Sequence, residues 1–302
     1  MQHIPMSRGR GRRGFTIIEV LVALVLLGLV SAALYRVLVN NQRLYMAQTQ
    51  RIDLSQNIRA AGSILPAEFR ELDASEGDIT AMSATSISIR AMRWLGFACN
   101  TPGLGGALNG VSLIVRGGAP GQPLFFGARG IDNTKDSVLI YYDGNVNSRA
   151  DDFWATGSIT AAPNGQNCND GTNGQRLILN VNLLGLGANV AGAIPLGAPV
   201  RGFERVIYQL YQPAGDTSWY VGFQPANQSM QPLIGPVLTN GLTFQYYDAN
   251  GNVTAVRSQV ARIDITVRAR TTAAVRAGGQ AAAATMVDSV VTSVALRNNR
   301  RF

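Results

Sequence analysis

From residue 20 to residue 35 the chain carries no charge, and the apolar run containing this stretch begins at Phe15, directly after a basic segment. As a helix at about 1.5 Å per residue, positions 15–35 reach about 31 Å, the thickness of a bilayer core. The segment is long enough to span a membrane. Glu19 is the one acid inside it, and an unpaired carboxylate within a spanning helix costs about 2.5 to 3.5 kcal/mol by insertion scales. Such a residue calls for a partner.

Helical periodicity continues beyond the apolar run. Leu54, Ile58, Ala61, Leu65, Phe69 and Leu72 recur at helical spacing, with Arg51, Asp53, Gln56, Arg59, Arg70 and Glu71 mostly on other faces. This pattern predicts an amphipathic helix with one buried stripe, kinked or restarted at Pro66, which lacks an N–H and crowds the preceding turn. Past residue 73 the pattern changes to short β-rich or alternating runs at 85–90, 111–116, 137–142, 177–183, 206–211, 219–223, 242–247, 260–270 and 287–296. Positions 262–270 alternate most strictly, Arg-Ile-Asp-Ile-Thr-Val-Arg-Ala-Arg, so one face is wet and the other meets a core, as in an antiparallel sheet. Gly-rich loops at 103–130 and 185–202 and an Ala/Gly stretch at 271–285 separate these runs. Asp248-Ala-Asn250-Gly251-Asn252 reads as a hairpin turn by its Asn-Gly pair.

Spacing also proposes the partner of Glu19. If the chain is cut between Gly14 and Phe15, a new α-amino group appears on Phe15, four residues before the acid and on the same helix face. The residues Gly14-Phe15-Thr16-Ile17-Ile18-Glu19-Val20 resemble the class III signal of type IV prepilins and type II secretion pseudopilins. The resemblance implies cleavage after Gly14 by a membrane prepilin peptidase, N-methylation of Phe15, and pairing of Glu19 with the terminal amine of a neighbouring subunit as helices bundle into a filament. A secretory signal peptide would have a shorter apolar stretch before a small-residue site, for which Ser31-Ala32-Ala33 is a loose candidate. An ordinary signal anchor would have no use for Glu19.

The tail adds a second likeness. Positions 290–298, Val-Val-Thr-Ser-Val-Ala-Leu-Arg-Asn, look like the carboxyl end of the larger minor pilins and J-type pseudopilins. Together the two likenesses imply a type IV pilus minor pilin, with a type II secretion pseudopilin as the alternative and a pilus-borne adhesin or DNA-binding module behind it. The implied fold is α+β and pilin-like, a long amino-terminal helix packed on a mainly antiparallel β domain. The chain then divides into a cleaved leader at 1–14, a spanning and polymerisation helix at 15–39, its amphipathic continuation at 40–72, and a β-rich domain at 73–302. The implied partners are other pilins, met through the helix, the prepilin peptidase, and the inner membrane before assembly.

Charge orients the chain. Arg8, Arg10, Arg12 and Arg13 stand in residues 1–14 without an acid, so the positive-inside rule keeps them in the cytoplasm and sends the chain beyond the helix across the membrane. The expected location is therefore the inner membrane with a periplasmic carboxyl-terminal domain, then the pilus. The formal charge of +8 falls to +4 once those four arginines are removed, 22 basic residues against 18 acidic, so the basic character is partly that of the leader. Nucleic acid is not an expected partner, although Arg262, Arg268 and Arg270 share one strand face that could meet phosphates.

The two cysteines, Cys99 and Cys168, fall in the exported part, where oxidation is permitted. They are expected to pair, closing a loop of about 70 residues and stabilising the fold by about 4 kcal/mol in the chain-entropy model. Free thiols and an intermolecular bond are the alternatives.

His3 is the single histidine and would leave with the leader, so a processed chain has no imidazole for a catalytic triad or an ordinary zinc site. No phosphate-binding loop, nucleophile elbow or dinucleotide fingerprint occurs, and no enzyme activity or cofactor is expected. Carboxylate-pair chemistry would have to draw on Asp143, Asp151, Asp152, Glu204 or Asp216. Asp143, Asn145, Asn147 and Asp151 stand at positions one, three, five and nine of a calcium-loop pattern, but Ser148 replaces the glycine and Trp154 the bidentate glutamate, so a turn explains them as well.

Overall fold

In the computed structural model, the described residues are 14–100, 103–105, 110–116, 126–127, 129–143, 147–148, 152–163, 166–181, 194–275 and 282–297. One helix, α1, runs from Ile17 to Arg70. Its 54 residues extend about 80 Å. Every residue from 14 to 38 is exposed, and burial begins in earnest only at Leu54, followed by Ala61, Leu65, Pro66 and Phe69. The amphipathic stripe therefore packs as its spacing predicts. Pro66 does not end or restart α1: it lies buried within one continuous helix.

Among the described residues, fourteen strands come after it in chain order, all in one antiparallel hydrogen-bonded network. They are β1 (Ile79–Met82), β2 (Ser86–Ala98), β3 (Gly103–Gly105), β4 (Gly110–Arg116), β5 (Phe126–Gly127), β6 (Asp136–Tyr142) and β7 (Phe153–Ala161). After them come β8 (Gln166–Asn167), β9 (Asn173–Val181), β10 (Pro199–Tyr211), β11 (Trp219–Gln224), β12 (Gln231–Tyr247), β13 (Arg262–Arg270) and β14 (Val287–Ala295). The expected turn joins β12 toward Val253: Gly251 sits at φ +83°, its N–H donates to the Asp248 carbonyl at 3.1 Å, and the Asp248 N–H donates to Asn252 at 2.9 Å.

The sheet closes on itself. Neighbours run β2-β4-β9-β7-β6-β10, and β10 pairs back onto β2 from Pro199↔Phe97 to Gln209↔Ser86. These six strands form a ring, a β-barrel whose interior holds Trp94, Leu113, Val138, Ile159, Leu177 and Val200, one from each strand. The carboxyl-terminal half of β10 leaves the ring and continues as an open sheet, β10-β11-β12-β13-β14. Against that sheet α1 buries a second core around Leu65 and Phe69, with the Phe69 ring edge-on to Tyr208 at 5.6 Å and to Phe244 at 5.9 Å.

This corrects the expected α+β, pilin-like architecture. Strand accounts for 45% of the described residues and helix for 24%, and the large antiparallel sheet curls into a barrel instead of forming a single layer beneath the helix. The physical reason is the length of β2 and β10. Each has 13 residues, enough to serve the open sheet with one half and the ring with the other. The halves meet at a bulge, where Gly202 faces Trp94 and Phe203 faces Met92, leaving Arg93 as the extra residue.

Candidate functional site

The amino-terminal turn of α1 is built by a capping box. Thr16 is the N-cap; its Oγ1 accepts from the Glu19 N–H at 3.3 Å, while its own N–H and hydroxyl both donate to Glu19 Oε2 at 3.0 Å. Glu19 thereby satisfies donors that an isolated helix end leaves bare, and it sits at the positive end of the helix dipole. The sequence reading missed Thr16. The Thr-x-x-Glu spacing just before an apolar run was the signal available for it. Gly14 and Phe15 precede the cap as exposed, non-helical residues.

From this turn the helix presents an apolar surface on all sides. Val20, Leu24, Leu27, Leu34 and Leu38 are each about half or more exposed. By length and composition this part of α1 can cross a membrane. It has no protein neighbour among the described residues.

The opposite end of α1 is fixed to the barrel by ions. Arg93, the bulge residue, reaches Glu68 of α1 at 3.0 Å and Glu204 of β10 at 3.0 Å. Arg129 bridges Glu204, at 3.2 Å, to Asp136, which also accepts from the Trp94 indole at 3.1 Å. The network ties helix, bulge and barrel wall together, and each carboxylate in it has a cationic partner. A second buried carboxylate, Asp78, accepts from Arg201 at 3.1 Å and from the Asp73 N–H at 3.0 Å. Burial pushes its carboxyl above the ordinary value, against the pull of Arg201.

Cys99 and Cys168 are joined, with an S–S distance of 2.06 Å across 69 positions. The bridge binds the end of β2 to the turn between β8 and β9, beside the bond from the Cys99 N–H to Ile114 at 2.9 Å.

Of the calcium-loop residues, Asn145 and Asp151 lie outside the described residues. Asp143 and Asp152 flank the last pair of the β6–β7 hairpin, Tyr142↔Phe153, and each has one buried oxygen without a hydrogen bond. Among the described residues no three acidic, histidine or cysteine groups come together as a metal site. Glu204 is held by two arginines, and Asp216 accepts from the Ser218 N–H and the Tyr220 hydroxyl. Arg262, Arg268 and Arg270 do share a face of β13, but Arg262 stacks on Tyr247 at 4.0 Å and Arg268 donates to the Asn240 carbonyl at 3.1 Å.

Residues 9–35 match the family model for the prokaryotic N-terminal methylation motif. With the apolar helix, this motif supports the pilin and pseudopilin class. The motif implies processing by prepilin peptidase and assembly with other pilins in a pilus or pseudopilus, points to a structural and non-enzymatic protein, and fits an inner-membrane anchor. No curated protein and no solved structure matches the chain.

Proposed function

We propose that this chain is a minor pilin, a subunit that takes part in assembling or priming a type IV pilus. One observation carries the reading: the amino-terminal part of α1, from Ile17 to residue 38, is exposed on every side and carries no charge from 20 to 35, directly after its motif acid, Glu19. Residues 1–14 act as the leader, cut between Gly14 and Phe15, and Phe15 is N-methylated. The helix at 15–39 waits in the inner membrane and then packs among other pilin helices, with 40–72 linking it to a periplasmic, later surface-exposed, domain at 73–302. Glu19 pairs with the terminal amine of a neighbour, which offsets the cost of about 2.5 to 3.5 kcal/mol of an unpaired acid in lipid and sets the register of packing.

Deleting the chain in its host, and scoring surface pili and secreted protein together, tests the proposal. Lost pili, restored by wild type but not by a Gly14 variant that blocks cleavage, are expected. Normal pili with failed secretion would move the reading to a type II secretion pseudopilin. Pili retained with loss of adhesion or DNA uptake would move it to a binding module. Glu19→Val should leave cleavage intact and reduce incorporation, and full incorporation of that variant would refute the registering role.

A further inference from the structure

β14 is an open edge of the sheet, and its ladder shows which of its backbone groups are bare. Among the described residues it pairs with β13 alone, in nine consecutive pairs without a bulge, from Arg262↔Ala295 to Arg270↔Val287. Two bonds bracket that ladder: Leu296 N–H to the Ala261 carbonyl and Thr271 N–H to the Met286 carbonyl, each at 2.9 Å. Hydrogen-bonded and non-bonded pairs alternate in an antiparallel ladder. Positions 288, 290, 292 and 294 therefore turn N–H and C=O toward β13, and 287, 289, 291, 293 and 295 turn theirs away. The Ser289 N–H is taken by Asp288 Oδ1 at 2.8 Å. The other four outward N–H groups and the five carbonyls have no partner among the described residues.

β14 carries one charge, Asp288, and little else that blunts this edge. It has no lysine or proline, and Val287 and Val291 are 52% and 67% exposed. Helix α1 covers one face of β14, where a Cβ added at Gly62 would lie 3.7 Å from Val290 Cγ2, but not its edge. The short β1 at the far side of the sheet is treated differently, since the Arg257 guanidinium bonds the Thr80 carbonyl there.

We infer that β14 is a docking edge which accepts an extended segment of a different polypeptide in the assembly as an added strand. Backbone complementarity selects an extended segment, and Val287 and Val291 select apolar side chains on its solvent-side face. A second copy is the wrong occupant. Antiparallel β14–β14 pairing, centred on Val291, needs a two-fold axis perpendicular to the sheet. That axis reverses α1, which lies on the sheet, and would send the two apolar helices in opposite directions. The exclusion of a second copy rests on reading α1 as a membrane anchor; the bare edge does not.

The test places a photoreactive residue at Ser289 of the full chain in its host, with Gln245, exposed on β12 away from the edge, as control. The expected result is a Ser289 adduct whose cross-linked peptide maps to an extended segment of another subunit. The adduct should be lost in Val291→Pro and in Val291→Lys, because proline removes an outward N–H that β13 does not use and lysine blunts the edge. Both variants should keep the melting temperature of the domain. A Ser289 yield no higher than at Gln245, an adduct to β14 of a second copy, or an adduct that survives both substitutions would overturn the inference. Pili scored in the same strains separate the two readings: normal piliation without the adduct sinks the docking edge alone, and the adduct in a chain dispensable for pili sinks the pilin assignment alone.

Discussion

Replacing Gly202 with alanine puts a methyl group where the Trp94 indole already lies. A Cβ built at Gly202 would stand 1.9 Å from Trp94 Cε2 and 2.3 Å from Cδ2 and Nε1. Carbon atoms pack at about 3.5 to 4.0 Å, so the indole would have to retreat by about 1.5 Å. It is poorly placed to do so. Trp94 is fully buried in the barrel, and its Nε1 donates to Asp136 at 3.1 Å, whose carboxylate is itself held by Arg129. Overpacking costs about 1 to 3 kcal/mol, and losing a hydrogen bond to a charged group adds about 1.5 to 3 kcal/mol. The sum, about 4 kcal/mol, should lower the melting temperature of a domain of this size by about 10 °C. Thermal unfolding of the full chain in detergent, disulfide intact and followed by near-ultraviolet circular dichroism, measures it. Gly130→Ala is the control, because an added Cβ there meets nothing within 4 Å. If Gly202→Ala melts together with that control, Trp94 does not lie against β10 and the ring is not closed as described.

Three further outcomes rest on the same geometry. Arg93→Met should cost about 3 kcal/mol in a denaturant titration, since it leaves Glu68 without its ion pair and Glu204 with Arg129 alone; a loss under about 1 kcal/mol would show that the network does not hold α1 to the barrel. Replacing both Cys99 and Cys168 with serine should lower stability by about 4 kcal/mol, and the wild type treated with reductant should match the variant. In acid, three turn aspartates should lose their contribution. Asp170 is held below its ordinary value by the Thr172 hydroxyl and then Arg116, Asp132 by the Thr134 hydroxyl, and Asp248 by the Asn252 N–H. A folded-state value below the unfolded one means stability present above about pH 4 and lost as pH falls through the folded values. Changing all three to asparagine should flatten the acid limb of the stability curve, and an unchanged limb would refute the assignment.

What the sequence determined by itself was local. The apolar helix, the anomalous Glu19 and the Asp248–Asn252 turn depend on residues within one or two turns of each other, and so does the Thr16 cap, legible though missed. The stripe of Leu54, Ala61, Leu65 and Phe69 and the alternation of β13 were legible because an element that buries one face repeats at its own period. Ring closure was not legible, because it depends on β2 meeting β10 more than 100 positions away; Arg93 and Glu204 are separated by 111. The Arg93 bulge breaks the alternation of β2 partway along, which is why positions 85–90 read as a strand and the remainder up to Ala98 did not. β7 was missed because Gly157 and its Ser and Thr residues dilute the apolar pattern of a barrel strand. Pro66 reads locally as a break, yet tertiary burial of the surrounding stripe keeps α1 continuous there. The apolar helix is written in neighbouring residues; the barrel, its ion network and the bare edge of β14 exist only once distant strands have paired.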